Sequence, residues 1–137
     1  MIVNDLEAGQ RIKNNMQSYG IERKAGPIEP LNHSAEEIAQ KMEHPAQILE
    51  DFQKVAKNLI RQGADVLVPG CGVLNQLLID MKLREMDGVP VLDVAGVTVK
   101  YAEMMVDLAK ANRSVTKKVR LDTQKLKKAM DHINVVY

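Results

Sequence analysis

The stretch Ala64-Asp-Val-Leu-Val-Pro-Gly-Cys-Gly-Val-Leu-Asn75 decides how this chain reads. Val66-Leu-Val68 is short, β-branched and unalternating, the pattern of a strand buried on both faces. Pro69 and Gly70 end it, and apolar helical spacing follows through Leu74, Leu77, Leu78, Met81 and Leu83, which predicts a helix to about Met86. Cys71, the one cysteine of the chain, therefore falls just past a strand, between two glycines, at the mouth of a helix. In open parallel α/β sheets, ligands bind outside the carboxyl ends of the strands. A helix N-terminus there presents unpaired backbone N–H groups and partial positive charge, which favour a thiolate or a bound anion.

Working outward, the same alternation continues on both sides. Upstream, Leu6, Gly9, Ile12, Met16 and Tyr19 repeat at helical steps, and Gly20 ends the run. Residues 21–31 read as extended, with Pro27 and Pro30 restricting them to an edge strand or an irregular one. Ser34 and Glu37 form a capping box, His44-Pro45 breaks the helix it opens, and a second helix carries Ile48, Leu49, Phe52, Val55, Ala56, Leu59 and Ile60 to Gly63. Downstream, Asp87-Gly88 is a turn, Val89 to Val94 reads as a second buried strand, and Gly96 to Ala111 as a helix. Helix–strand–helix–strand–helix order predicts a parallel sheet with right-handed crossovers. On this reading the chain starts in a helix, with no strand before it.

The rest of the composition narrows the function classes. The chain has 137 residues, 45% hydrophobic and 27% charged, with a net charge of +1. That is enough for one core, and no overall field argues for nucleic acid or a membrane surface. No apolar run approaches the roughly 20 residues that span a bilayer. One cysteine rules out an internal disulfide framework and fits a reducing cytoplasm. With one Phe and no Trp, base stacking is not expected. From Lys110 to Lys128 there are eight basic residues and one acid, Asp122. Residues 112–137 are accordingly expected to form a basic tail with a short final helix, apart from a lobe over residues 1–111.

These motifs carry a resemblance. Gly63-Ala-Asp-Val-Leu-Val-Pro-Gly-Cys-Gly72, Gly88-Val-Pro-Val-Leu-Asp93 and the Ala-Gly-Val-Thr-Val-Lys-Tyr-Ala-Glu helix after them resemble the aspartate/glutamate/hydantoin racemase superfamily, in its hydantoin-racemase-like branch. The helix ending Ser18-Tyr-Gly-Ile21 matches in order and spacing, and the resemblance covers about residues 5–111. It implies a flavodoxin-like, three-layer α/β/α lobe with a short parallel sheet, one of two lobes that each give a cysteine to a shared cleft. It also implies cofactor-independent isomerase chemistry on a small carboxylate or hydantoin-type substrate. Cys71 matches the cysteine of the second lobe, while the first lobe and the opening strand of the second have no counterpart here. Glutamate racemases place Thr-His after this cysteine, where this chain has Gly72 and Val73.

The expected chemistry is proton transfer at a carbon α to a carbonyl, with Cys71 as acid/base. Gly70, Gly72 and Val73 would form the loop that holds a carboxylate or enolate oxygen. Asn75 would add an amide contact and Thr98 a hydroxyl. Each has a plainer alternative: Cys71 as a small buried hydrophobe, the glycines as turn formers, Asn75 as an ordinary helix residue. Asp93 is expected to cap the helix after it. His33, His44 and His132 lack metal-ligand spacing with Cys71, so no metal is expected, and the resemblance implies no cofactor. Methionine-rich helices and an open sheet edge predict a homo-oligomer. The competing functions are a non-catalytic lobe that binds a small anion or a partner protein, and an interaction module that uses the basic tail.

Overall fold

The computed structural model describes residues 1–111, and its sheet is made of very short pieces. Ile2–Val3 (β1) pairs in parallel with Glu29–Pro30 (β2). Parallel bridges then join Ile2 to Pro69 and Leu67 to Val91. The backbone bonds run through all four segments: Leu31 N donates to Val3 O at 2.7 Å, Ile2 N to Val68 O at 2.9 Å, and Leu92 N to Leu67 O at 2.9 Å. Across the sheet the order is therefore second, first, third, fourth in chain sequence, the flavodoxin-like order. The first strand corrects the sequence reading, which opens the chain in a helix. Two residues carry no periodicity, so only their pairing with β2 and Pro69 reveals them.

Helices connect these segments. They are Leu6–Ser18 (α1), Ala35–Gln40 (α2), Ala46–Arg61 (α3), Gly72–Asp80 (α4) and Val94–Ala111 (α5). Local sequence sets their ends. Asp5 caps α1 by accepting from Ala8 N, and the Ser34–Glu37 capping box opens α2 with both reciprocal bonds present. Gly20 and Gly63, at φ +67° and +89°, follow the C-caps of α1 and α3, where only glycine adopts left-handed backbone without strain. The expected extended run at 21–31 contains a 3-10 turn, Glu22–Lys24, before β2.

The helix after Cys71 is shorter than expected. It ends at Asp80, and Lys82 enters the left-handed region at φ +55°. Glu85–Met86 (β3) then pairs antiparallel with Val89–Pro90 (β4) through Asp87-Gly88, both at positive φ, as a two-residue hairpin requires.

The two faces of the sheet are unlike. Right-handed crossovers carry α1 to one face and the return through α2, α3 and α4 to the other. On the second face Ile38, Ile48, Phe52, Ala56, Leu59, Leu74, Leu77 and Leu78 close over Ile2, Leu67 and Val91, all buried. On the first face α1 contributes no buried residue. Val66 is 38% exposed and Val68 half-buried, so the strand expected to be buried on both faces is buried on one. The two-residue period of a strand points Leu67 at α3 and its neighbours the other way.

At the edge of the core His33 sits just before α2, with Nε2 3.1 Å from Asp51 Oδ2 and Nδ1 3.7 Å from Glu37 Oε2. Gln47 and His33 hold the Asp51 carboxyl at a pKa of about 2 by hydrogen bonding to its charged form. The chain divides into compact units Met1–Val99 and Lys100–Tyr137. The basic tail and its expected helix lie outside the described residues.

Candidate active site around Cys71

The site begins with Gly70. Its N–H donates to Ile2 O at 2.7 Å, which pins the end of the third strand segment to β1. A Cβ at Gly70 would lie 2.9 Å from Val3 Cγ1 and 3.2 Å from both Ile12 Cδ1 and Ile2 O. Glycine is thus required here by close approach of β1 and α1. Gly70 hands the chain to Cys71 at a fixed place.

Cys71 is the N-cap residue of α4, with extended backbone at φ −128° and ψ 132°. Its carbonyl accepts the first helical bond, from Asn75 N at 2.9 Å. Its side chain makes no capping hydrogen bond, and its thiol is free and half-buried. Serine, threonine, asparagine or aspartate at this position would accept from an N–H of the first turn; a thiol is a weak acceptor. The N–H groups of Gly72, Val73 and Leu74 precede the first intrahelical bond. Among the described residues, nothing beyond its chain neighbours and its own helix backbone lies within 4 Å of where a Cβ of Gly72 would be, so the backbone there is open to approach.

A cleft of about 240 Å³ lies in front of this helix start, walled by Met1, Ile12, Val68, Pro69, Gly70, Cys71, Gly72, Asn75, Val94 and Ala95. It sits between the first and third strand segments, where the strand order reverses, the place where open α/β sheets bind ligands. Other depressions are larger, including one of about 350 Å³ between α1 and residues 22–30, but Cys71 does not line them. The volume near Cys71 is below the 300–1,000 Å³ common for drug-sized ligands, so it suits a small molecule.

Asn75 is buried, and both ends of its amide are engaged. Oδ1 accepts from Val94 N at 2.9 Å, and Nδ2 donates to Asp93 Oδ1 at 3.3 Å. The same Asp93 oxygen accepts from Gly96 N at 2.9 Å, so Asp93 caps α5. These bonds to Gly96 N–H and to Asn75 hold the Asp93 carboxyl below its ordinary value of 3.8. Asn75 therefore ties the first turn of α4 to the start of α5, and its amide is not free to reach into the cleft.

Of the residues expected at the site, the structure gathers Gly70, Cys71, Gly72 and Asn75 around the cleft. The side chain of Val73 packs against the core. Thr98 is exposed and donates to Val94 O at 2.8 Å, and it does not line the cleft. The apolar wall from Met1 and Ile12 was not anticipated, since nothing in their local sequence distinguishes them from other core-facing residues. Among the described residues, no group of three or more His, Cys, Asp or Glu is placed to hold a metal ion. Nor is any helix there long and apolar enough to cross a membrane.

A family model described as Asp/Glu/hydantoin racemase matches residues 5–102, a span that holds every cleft residue except Met1. No curated protein and no solved structure matches the chain.

Proposed function

The chain belongs to the Asp/Glu/hydantoin racemase family, and we infer that Cys71 is the acid/base of a proton transfer at a carbon α to a carbonyl. The observation that carries this reading is the position of Cys71 as the N-cap of α4, uncapped by its own side chain, at the carboxyl edge of a parallel sheet. A carboxylate or a ring carbonyl of a hydantoin would face the N–H groups of Gly72, Val73 and Leu74, whose partial positive charge stabilises the oxygen that gains charge on deprotonation. The thiolate sulfur takes the α-proton, and the electron pair left on carbon delocalises into the adjacent carbonyl. Return of the proton from the same thiol restores the original configuration. Asn75 and Asp93 hold the two helix starts in register around the reacting group. The cleft size favours a small carboxylate or hydantoin.

Inversion needs a second donor on the opposite face of the carbon, and this chain has a single cysteine. Deuterium uptake at the α-carbon in heavy water, beside optical rotation of a single-enantiomer 5-substituted hydantoin or amino acid, tests the reading. Exchange without loss of rotation, abolished in Cys71→Ala, is the expected result for one chain acting from one face. Loss of rotation at the same rate as exchange would require another acid/base, most simply Cys71 of a second chain. The single thiol also favours a second reading, a non-catalytic lobe that binds a small anion. No exchange across hydantoins, amino acids and arylmalonates, together with carboxylate binding at the α4 start, would select it.

A further inference from the structure

Helix α5 carries most of the exposed large apolar side chains of the described residues. Val97, Tyr101, Met104 and Leu108 are 52%, 58%, 47% and 49% exposed. Their spacing of four, three and four residues is the a/d repeat of a helix-pairing seam. An 18-residue helix with no buried residue gains little from its own propensity, so such a stripe calls for a partner helix.

We propose that α5 pairs antiparallel with α5 of a second copy of this chain, through Val97, Tyr101, Met104 and Leu108. Charge beside the seam selects this partner and this direction. With Tyr101 and Leu108 at a, and Val97 and Met104 at d, Lys100 and Asp107 are the two flanking g positions. In a parallel pair g faces e, and Lys100 would lie opposite Met105. In an antiparallel pair g faces g, and Lys100 lies opposite Asp107 of the second copy, twice by symmetry. The same register sets Tyr101 against Met104 and Val97 against Leu108 across the two-fold axis. Among the described residues, Lys100 and Asp107 make exposed intrahelical pairs, Lys100 Nζ to Glu103 Oε2 at 2.8 Å and Lys110 Nζ to Asp107 Oδ1 at 3.6 Å, weak enough for both side chains to turn to a partner. Methionine at the centre of the seam fills an uneven surface readily. The inference stands on α5 alone and does not depend on the chemistry of Cys71.

Sedimentation equilibrium of the full 137-residue chain over low to high micromolar concentration tests it. A dimer is expected. Tyr101→Glu with Leu108→Glu places unpaired charges in the seam and should weaken it by roughly 100-fold, while circular dichroism shows the exposed positions tolerated. Lys100→Asp should weaken the dimer about tenfold, and Lys100→Asp with Asp107→Lys should restore it. A wild-type monomer throughout the range overturns the proposal, as does a dimer indifferent to the two glutamates. A dimer that Lys100→Asp leaves unchanged, or that the double reversal fails to rescue, overturns the antiparallel register.

Discussion

Two helices start at the same edge of the sheet, and they start differently. At α5, Asp93 accepts from Gly96 N–H and Asn75 accepts from Val94 N–H, so side chains fill the helix start. At α4, Cys71 occupies the equivalent position and caps nothing. A closed helix start gains stability from its cap, whereas an open one keeps its N–H groups for a ligand. The contrast separates what positions this site from the group proposed to react in it: Asn75 and Asp93 belong to the frame, and Cys71 faces the cleft. On the proposed function, the thiol stands where serine or aspartate would make the better cap.

The largest effect is expected from removing the link between the two starts. Asn75→Ala empties a buried position and leaves Val94 N–H and one side of Asp93, both half-buried, without their partner, and should cost about 2–3 kcal/mol in denaturant unfolding. A cost near zero would mean that the two helix starts are independent, and the comparison would lose its frame. Gly70→Ala comes next. Its Cβ meets Val3, Ile12 and backbone at Ile2, so a loss of about 1–3 kcal/mol is expected, with Cys71 displaced and its alkylation rate changed. A neutral Gly70→Ala would show that β1 does not fix the place of Cys71.

Much of the frame was legible in the sequence because it depends on local signals. Ser34 with Glu37 and the glycines at 20 and 63 each act within one turn of chain and appear where expected, whereas α2 ends at Gln40, ahead of the break expected at His44-Pro45, and Pro45 serves as the N-cap of α3. The Asp93 cap is local in the same way. What escaped the sequence depends on pairing across the fold. Ile2–Val3 is a strand only because Glu29–Pro30 and Pro69 lie beside it. Glu85–Met86 looked like the end of a helix because Leu83 continues the apolar spacing of α4, yet Lys82 has already left helical backbone. Cys71 was conspicuous from Gly-Cys-Gly at a strand end. The engagement of Asn75 was not, since its partners Asp93 and Val94 lie 18 and 19 residues away.

Acid offers a subtler way to separate the two helix starts. The Asp93 carboxyl is held below 3.8 by Gly96 N–H and Asn75, so its folded value is depressed relative to the unfolded chain. The stability it contributes is present above the ordinary carboxylate range and is lost as pH falls through the folded value. Asp51, held at about 2, adds a contribution of the same sign, lost between about pH 4 and pH 2. Amide exchange at Gly96 and Val97 should therefore quicken below pH 4, after correction for intrinsic rates, before exchange at Asn75 does. The α4 start has no acidic cap to protonate. Simultaneous loss of protection at both starts would mean that α5 does not depend on its carboxylate.

The most direct test of the central claim is Cys71→Ser, read for both stability and deuterium exchange at the α-carbon of a substrate. The backbone at residue 71 is already that of an N-cap, and a serine hydroxyl there accepts from the first turn of α4. The predicted result is a folded protein more stable by about 0.5 kcal/mol, with the exchange lost. A Cys71→Ser protein that is less stable by 1 kcal/mol or more, or that still exchanges the α-proton, would contradict the account and return Cys71 to the role of a packed core side chain.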